Sequence, residues 1–190
     1  QIGAFLGPLV VAATLYMKGR GEADLATYQT GFAVLLVPAL LALTTLVVAR
    51  VLFPRPAELE SKTPRIGAER FGHQYWVYLV AASLIALGFA DFPLMAYHFR
   101  TAALAPDAWI PTFYSFTMAI DAIAALGFGR LFDKKGLPVV AIACMLSAWF
   151  APFVFYGRLP AVLVGLALWG IGMGAQESIM RAAIAGMVAP

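Results

Sequence analysis

Charge is what this sequence has least of. Lys, Arg, Asp and Glu together make up 12% of its 190 residues, against roughly 25% in an ordinary soluble domain. Apolar residues make up 62%, more than a soluble fold of this size can hide from water. The charges that exist are also confined. Residues 1–17, 25–49, 71–90, 136–157 and 159–176 carry none, and 108–129 contains only Asp121. Most of these runs approach the ~20 apolar residues that cross a ~30 Å hydrocarbon core. Cysteine is almost absent: Cys144 stands alone inside an apolar run, which excludes an intrachain disulfide and a thiolate metal site and leaves a small buried hydrophobe. The two histidines, His73 and His98, sit at the ends of apolar runs. Neither an H-x-x-x-H pair nor a G-x-G-D pattern is present, which argues against an intramembrane enzyme and against a metal site. The net charge of +3 is carried in short loops between apolar runs, so it reads as membrane topology and not as a nucleic-acid surface. Strict polar/apolar alternation is missing as well, which removes membrane β-strands and leaves helices.

What is there is a succession of six spans, an all-α polytopic membrane protein. They are expected at about Ile2–Met17, Thr30–Leu52, Tyr75–Tyr97, Trp109–Leu131, Leu137–Tyr156 and from Leu159 past Arg181. The first is too short to cross unaided. The chain opens on Gln1 inside an apolar stretch and closes on Pro190 without a tail, so a fragment of a longer protein is expected, with no signal peptide in it. Lysine and arginine set the orientation. Arg50, Arg55, Lys62, Arg65, Arg70, Arg130, Lys134, Lys135 and Arg181 fall on one side; Lys18, Arg20, Arg100 and Arg158 fall on the other. The richer side is the cytoplasmic one, which places residues 54–73 and 130–136 in the cytoplasm of a cell whose inner membrane holds the chain. Aromatic residues gather at the expected interfaces, as at Tyr75, Trp76 and Tyr78 or Trp109, Phe113 and Tyr114. The one real linker is 54–73, rich in proline and mixed charge. It divides the chain into 1–53, the connector itself, and 74–190.

Ionisable residues inside a bilayer are costly, each about 2.5 to 3.5 kcal/mol at a helix centre on an insertion scale, and that cost directs attention to them. Asp121 falls roughly 18 Å below Trp109 at helical rise, near mid-membrane. Tyr114, Thr117 and Asp121 are spaced three and four apart and form one polar stripe, a candidate for contact with solute or proton. The plainer reading is a carboxyl bonded to a neighbouring helix. Asp91 sits in Gly88-Phe89-Ala90-Asp91-Phe92-Pro93, where the proline interrupts the helix and frees a carbonyl beside the carboxylate. Glu177 and Arg181 are four apart on one face, which an intrahelical ion pair explains. Gly170, Gly172 and Gly174 lie within a helix and follow no strand, so they are read as close packing, through Gly170-xxx-Gly174, and not as a nucleotide loop.

Three segments carry a resemblance. Gly129-Arg130-Leu131-Phe132-Asp133-Lys134-Lys135-Gly136 is similar to the loop signature G-x-L-x-D-R-x-G-R-R of the major facilitator superfamily, matching both glycines, the leucine, the aspartate and a basic residue after it. Leu137 and Pro138 replace the final basic pair. Gly3-Ala4-Phe5-Leu6-Gly7-Pro8 resembles the fifth helix of many bacterial members, without the double glycine of antiporters. Trp169 through Pro190 resembles their glycine-rich fourth or tenth helix. Together these imply helices five to ten of a twelve-helix bundle, with Gly3, Gly7, Pro8, Gly129, Gly136, Gly170 and Gly174 packing helices closely. The resemblance further implies a latch of Asp133, Lys134, Glu177 and Arg181 at the cytoplasmic end.

The function expected on this basis is secondary active transport of a small solute by alternating access, with a proton as the candidate coupling ion. Asp121, Asp91, Tyr114 and Thr117 are its expected contacts. No cofactor is called for. The partners are the solute, the proton and the lipid bilayer. A receptor or scaffold on the same fold is the alternative.

Overall fold

The computed structural model describes residues 2–19, 25–55 and 72–188. Most of the 54–73 connector, and with it Lys62, Arg65 and Arg70, lies outside the described residues, as do Arg20, Glu22 and Asp24. Every regular element among the described residues is helical. In chain order they are α1 (Ile2–Gly19), α2 (Leu25–Val34), α3 (Leu36–Leu52), α4 (His73–Gly88), α5 (Phe92–Thr101), α6 (Trp109–Lys135), α7 (Pro138–Ser147), α8 (Phe150–Tyr156) and α9 (Leu159–Ala175), then a π-helical turn at Gln176–Met180 and α10 (Arg181–Val188).

Read as spans, these join into five stretches long and apolar enough to cross a membrane: Leu25–Leu52, His73–Thr101, Trp109–Lys135, Pro138–Tyr156 and Leu159–Ile184. The sixth expected span, α1, is apolar over Ile2–Met17 and falls short of that length. Only α6 runs unbroken through a whole span. Three of the others are interrupted for one reason: a proline has no N–H to give the carbonyl four residues back. Pro38, Pro93 and Pro152 would leave Val34, Phe89 and Ala148 without donors. The breaks fall there, with α2 ending at Val34, α4 at Gly88 and α7 at Ser147.

The helices pack around α9, which lies against α6 on one side and α7–α8 on another, while α1 lies along α6 and α2 returns along α1. The largest core cluster joins Met95 and Phe99 of α5, Phe113 and Met118 of α6, Phe150 and Val154 of α8, and Val162, Leu166 and Trp169 of α9. A second cluster, at the other end of α6, gathers Val139, Ala143, Ala175 and Ile179 with Phe128, Leu131 and Phe132 beside them. By contrast α3 and α4 bury no residue at all. Leu36, Leu41, Leu46 and Val51 are among the large apolar side chains that α3 turns outward on every face, a surface compatible with lipid or further helices and not with water.

Candidate functional site

A cavity of about 570 Å³ opens where α1 and α2 meet α5, α6 and α9. Gly7, Pro8 and Val11 line it from α1, and Tyr28 and Phe32 from α2. Asp91, Phe92 and Pro93 at the α4–α5 break, Tyr114 on α6 and Trp169 on α9 line the opposite wall. Two of the expected contacts, Asp91 and Tyr114, are thus brought together; Thr117 and Asp121 are not part of this lining.

The break between α4 and α5 supplies one corner of the cavity and is held open by a specific contact. In an uninterrupted helix the N–H of Leu94 would reach the carbonyl of Ala90. Here it bonds to the carbonyl of Asp91 at 3.1 Å instead, and the indole N–H of Trp169 donates to Ala90 at 2.8 Å. The Trp169 ring also stacks on Phe89, centroids 5.5 Å apart and 28° between planes. A freed carbonyl near Asp91 was expected from Pro93, which takes the donor from Phe89; that the break also leaves Ala90 to an indole N–H from α9 was not expected. Asp91 itself stands at the N-cap position of α5 but makes no capping hydrogen bond with its side chain.

Below the cavity the polar stripe of α6 turns into the seam with α9. Thr117 is buried and its hydroxyl donates back to the carbonyl of Phe113 at 2.8 Å, inside its own helix. Asp121 is 1% exposed, and neither carboxyl oxygen has a hydrogen-bond partner among the described residues. It does not line the cavity, although the stripe had suggested that it would, and its backbone lies against α9. The reason is the approach of the two helices. A Cβ on Gly170 would come within 2.7 Å of the Thr117 carbonyl oxygen, and one on Gly174 would collide with the carbonyl oxygen of Asp121 and lie 2.8 Å from the nitrogen of Ala125. Immediately after Gly174 and Ala175 the helix widens into its π turn, which carries Glu177. The shift in register leaves the Met180 carbonyl to accept from Tyr78 of α4 at 3.1 Å.

The remaining candidates are placed differently from expectation. Asp133, Lys134, Glu177 and Arg181 are all exposed, and among the described residues Asp133 and Arg181 form no ion pair. Geometry accounts for this. Ile179 is buried in the cluster with Phe128 and Leu131, and Arg181, two residues on, falls about half a turn away from it. The latch is therefore not closed in this structure. Close packing is likewise absent at four of the glycines: a Cβ on Gly3, Gly7, Gly129 or Gly136 would meet nothing within 4 Å. Gly136 has another role, because it ends α6 with φ 70° and ψ −152°, a backbone region essentially restricted to glycine. Pro8 is accommodated inside α1 without ending it.

The comparisons add relatives but no activity. Over 197 aligned positions the chain is 32% identical to an uncharacterized protein of Mycobacterium tuberculosis, with all of this chain and 46% of the relative covered. An uncharacterized protein of Mycobacterium bovis matches at the same level. The chain spans about half the length of the curated relatives it matches. No family model and no solved structure matches it.

Sequence reasoning missed Trp169 as a member of the site and Gly31 and Gly165 as contact points; Gly172 it read as close packing without naming what it packs against. A Cβ on Gly172 would lie 2.5 Å from that of Ser147, and one on Gly31 would lie 2.8 Å from the hydroxyl of Thr14. A signal for Trp169 did exist. A tryptophan in the middle of an apolar span has an N–H to satisfy, and the proline-broken span offers a carbonyl in need of a donor.

Proposed function

We propose that this chain is part of a secondary transporter of the major facilitator type, moving a small solute by alternating access with its charged connector in the cytoplasm. The observation that carries the reading is where the cavity lies. Its walls come from α1 and α2, which precede the 54–73 connector, and from α5, α6 and α9, which follow it. A cavity shared by two helix groups, lined by a broken helix and reached by an ionisable side chain, is how transporters place a solute site. The contact between the groups also suits a joint that moves. It runs along one helix pair, α1 on α6, and includes the cluster Val11, Leu15 and Ala108, Ala4 and Phe5 against the main core, and a hydrogen bond from Ser115 to the carbonyl of Phe5 at 2.9 Å.

Asp121 is the residue we assign to proton coupling. A buried carboxyl without a hydrogen-bond partner among the described residues is costly in a membrane interior. The test is flux in liposomes carrying the complete protein, across a panel of small radiolabelled solutes, with and without an imposed pH gradient. At least one solute accumulates in response to the gradient, and Asp121→Asn keeps solute exchange while losing that response. If no solute moves, the transporter reading is wrong and a receptor or scaffold takes its place. If Asp121→Asn responds to the gradient as the parent does, the carboxyl belongs to the helix seam alone.

A further inference from the structure

We infer that the cavity at the α4–α5 break takes a hydrophobic organic cation, an inference about substrate class that rests on reading this cavity as the solute site. Its walls are aromatic to an unusual degree. Tyr28, Phe32, Phe92, Tyr114 and Trp169 all line it. Three of those rings meet as a corner: Phe92 lies 4.7 Å from Tyr114 and 6.3 Å from Trp169, centroid to centroid, tilted 58° from each. Aromatic rings grouped in this way attract a cation that reaches their faces, through the ring quadrupole.

The charge pattern points the same way. Asp91 is the carboxylate of the lining, and no lysine, arginine or histidine is among the residues that line the cavity. Its side chain caps no helix and makes no ion pair among the described residues. It is exposed at the cavity wall, so an entering molecule reaches it without displacing a protein partner. An anionic solute would meet this carboxylate with nothing to offset it. A sugar would find few groups to bond, since the Trp169 N–H is already committed to Ala90 and the rest of the wall is apolar apart from Asp91 and the two tyrosine hydroxyls. A volume of about 570 Å³ admits a molecule of drug-like size. A cation of that size with apolar substituents satisfies the carboxylate, the rings and the apolar wall together.

Two ions of nearly the same shape and opposite charge test this directly: tetraphenylphosphonium and tetraphenylborate. Binding is measured by calorimetry on the complete protein in a nonionic maltoside detergent, where no choline headgroup competes for the site. Tetraphenylphosphonium binds saturably and tetraphenylborate at least about tenfold more weakly, the discrimination expected of one charge contact with ring faces behind it. Asp91→Asn removes most of that discrimination, Asp91→Glu retains it, and Tyr114→Leu weakens the cation more than the anion. Each variant is first required to elute as a single species at the parent's volume, so that misfolding is not read as loss of the site. Equal affinity for the two ions, or an Asp91→Asn protein that discriminates as the parent does, overturns the inference. Cation binding without flux of any solute would leave this site standing and remove the transporter reading; flux of other solutes without cation binding would do the reverse.

Discussion

Glycine residues in this chain separate into two kinds that look alike in sequence. Gly170 and Gly174 lie against the α6 backbone, where an added Cβ would meet the Thr117 carbonyl oxygen at 2.7 Å and that of Asp121 closer still. Gly127 on α6 faces open space. Backbone atoms cannot rotate out of the way as a side chain can, so Gly174→Val must push α9 off α6. Overpacking of this kind costs about 1 to 3 kcal/mol or more, and the melting temperature of the purified complete protein should fall, while Gly127→Ala leaves it unchanged. Equal melting of the two variants would remove the close approach at Gly174. The same contrast marks what was legible. The spacing of small residues at 170 and 174 coincides with a close approach of α9 to α6. The identical spacing at Gly3 and Gly7 has no helix opposite it among the described residues, and a motif on one helix carries no information about whether a neighbour faces it. Asp121 was legible as a costly acid but not as one shut off from the cavity, because its burial depends on the path of α9.

At the scale of elements, spans and their ends could be read closely, because hydrophobic length and charge placement act through the bilayer and need no knowledge of neighbours. The interruptions were readable in principle by the same local rule. Pro93 was recognised as a helix break, whereas Pro38 and Pro152, which act identically on Val34 and Ala148, were passed over as interior residues of apolar runs. What no local rule supplies is the repair of a break. At α4–α5 the repair is Trp169, which donates to Ala90 at 2.8 Å and stacks on Phe89. Trp169→Phe keeps most of the ring and removes the N–H, leaving the half-buried Ala90 carbonyl without its donor at a cost of about 1 kcal/mol. The variant should melt at a lower temperature, and amide exchange should quicken around residues 89–94 ahead of the rest of α4 and α5. Uniformly faster exchange across all helices would mean that Trp169 serves only as core volume. The π turn at Gln176–Met180 is the element furthest from sequence reasoning, since a single extra residue per turn leaves no compositional trace.

The whole molecule is divided by its contacts in a way that follows the chain. α5, α6, α8 and α9 share the largest core, and α1 meets it along α6, through Leu15 and Val11 near Ala108 and through Ala4 and Phe5, the latter at Ser115. These pairings run in opposite directions along the two helices, so α1 is antiparallel to α6 and covers the half of α6 nearest Trp109. α6 itself, 27 residues long, extends about 40 Å at helical rise. Ala103 before it and Lys135 at its end are therefore expected at opposite membrane surfaces. In a Cys144→Ala background, a membrane-impermeant maleimide added to intact cells should label Ala103→Cys and spare Lys135→Cys until the membrane is opened; labelling of both alike would reject the orientation. The joint between the helix groups gives the stricter test, because alternating access requires α1 and α6 to change their relation in every cycle. The Ser115 hydroxyl and the Phe5 carbonyl are 2.9 Å apart, close enough for a short bifunctional crosslinker to join cysteines placed at the two positions. Joining Phe5→Cys to Ser115→Cys through a cleavable linker should stop solute flux in liposomes, and cleaving it should restore flux. Each single-cysteine variant, treated in the same way, should transport as before. Flux that continues through the crosslinked protein would mean that α1 and α6 move as one body, and any rocking would then have to be sought at a different pair of helices.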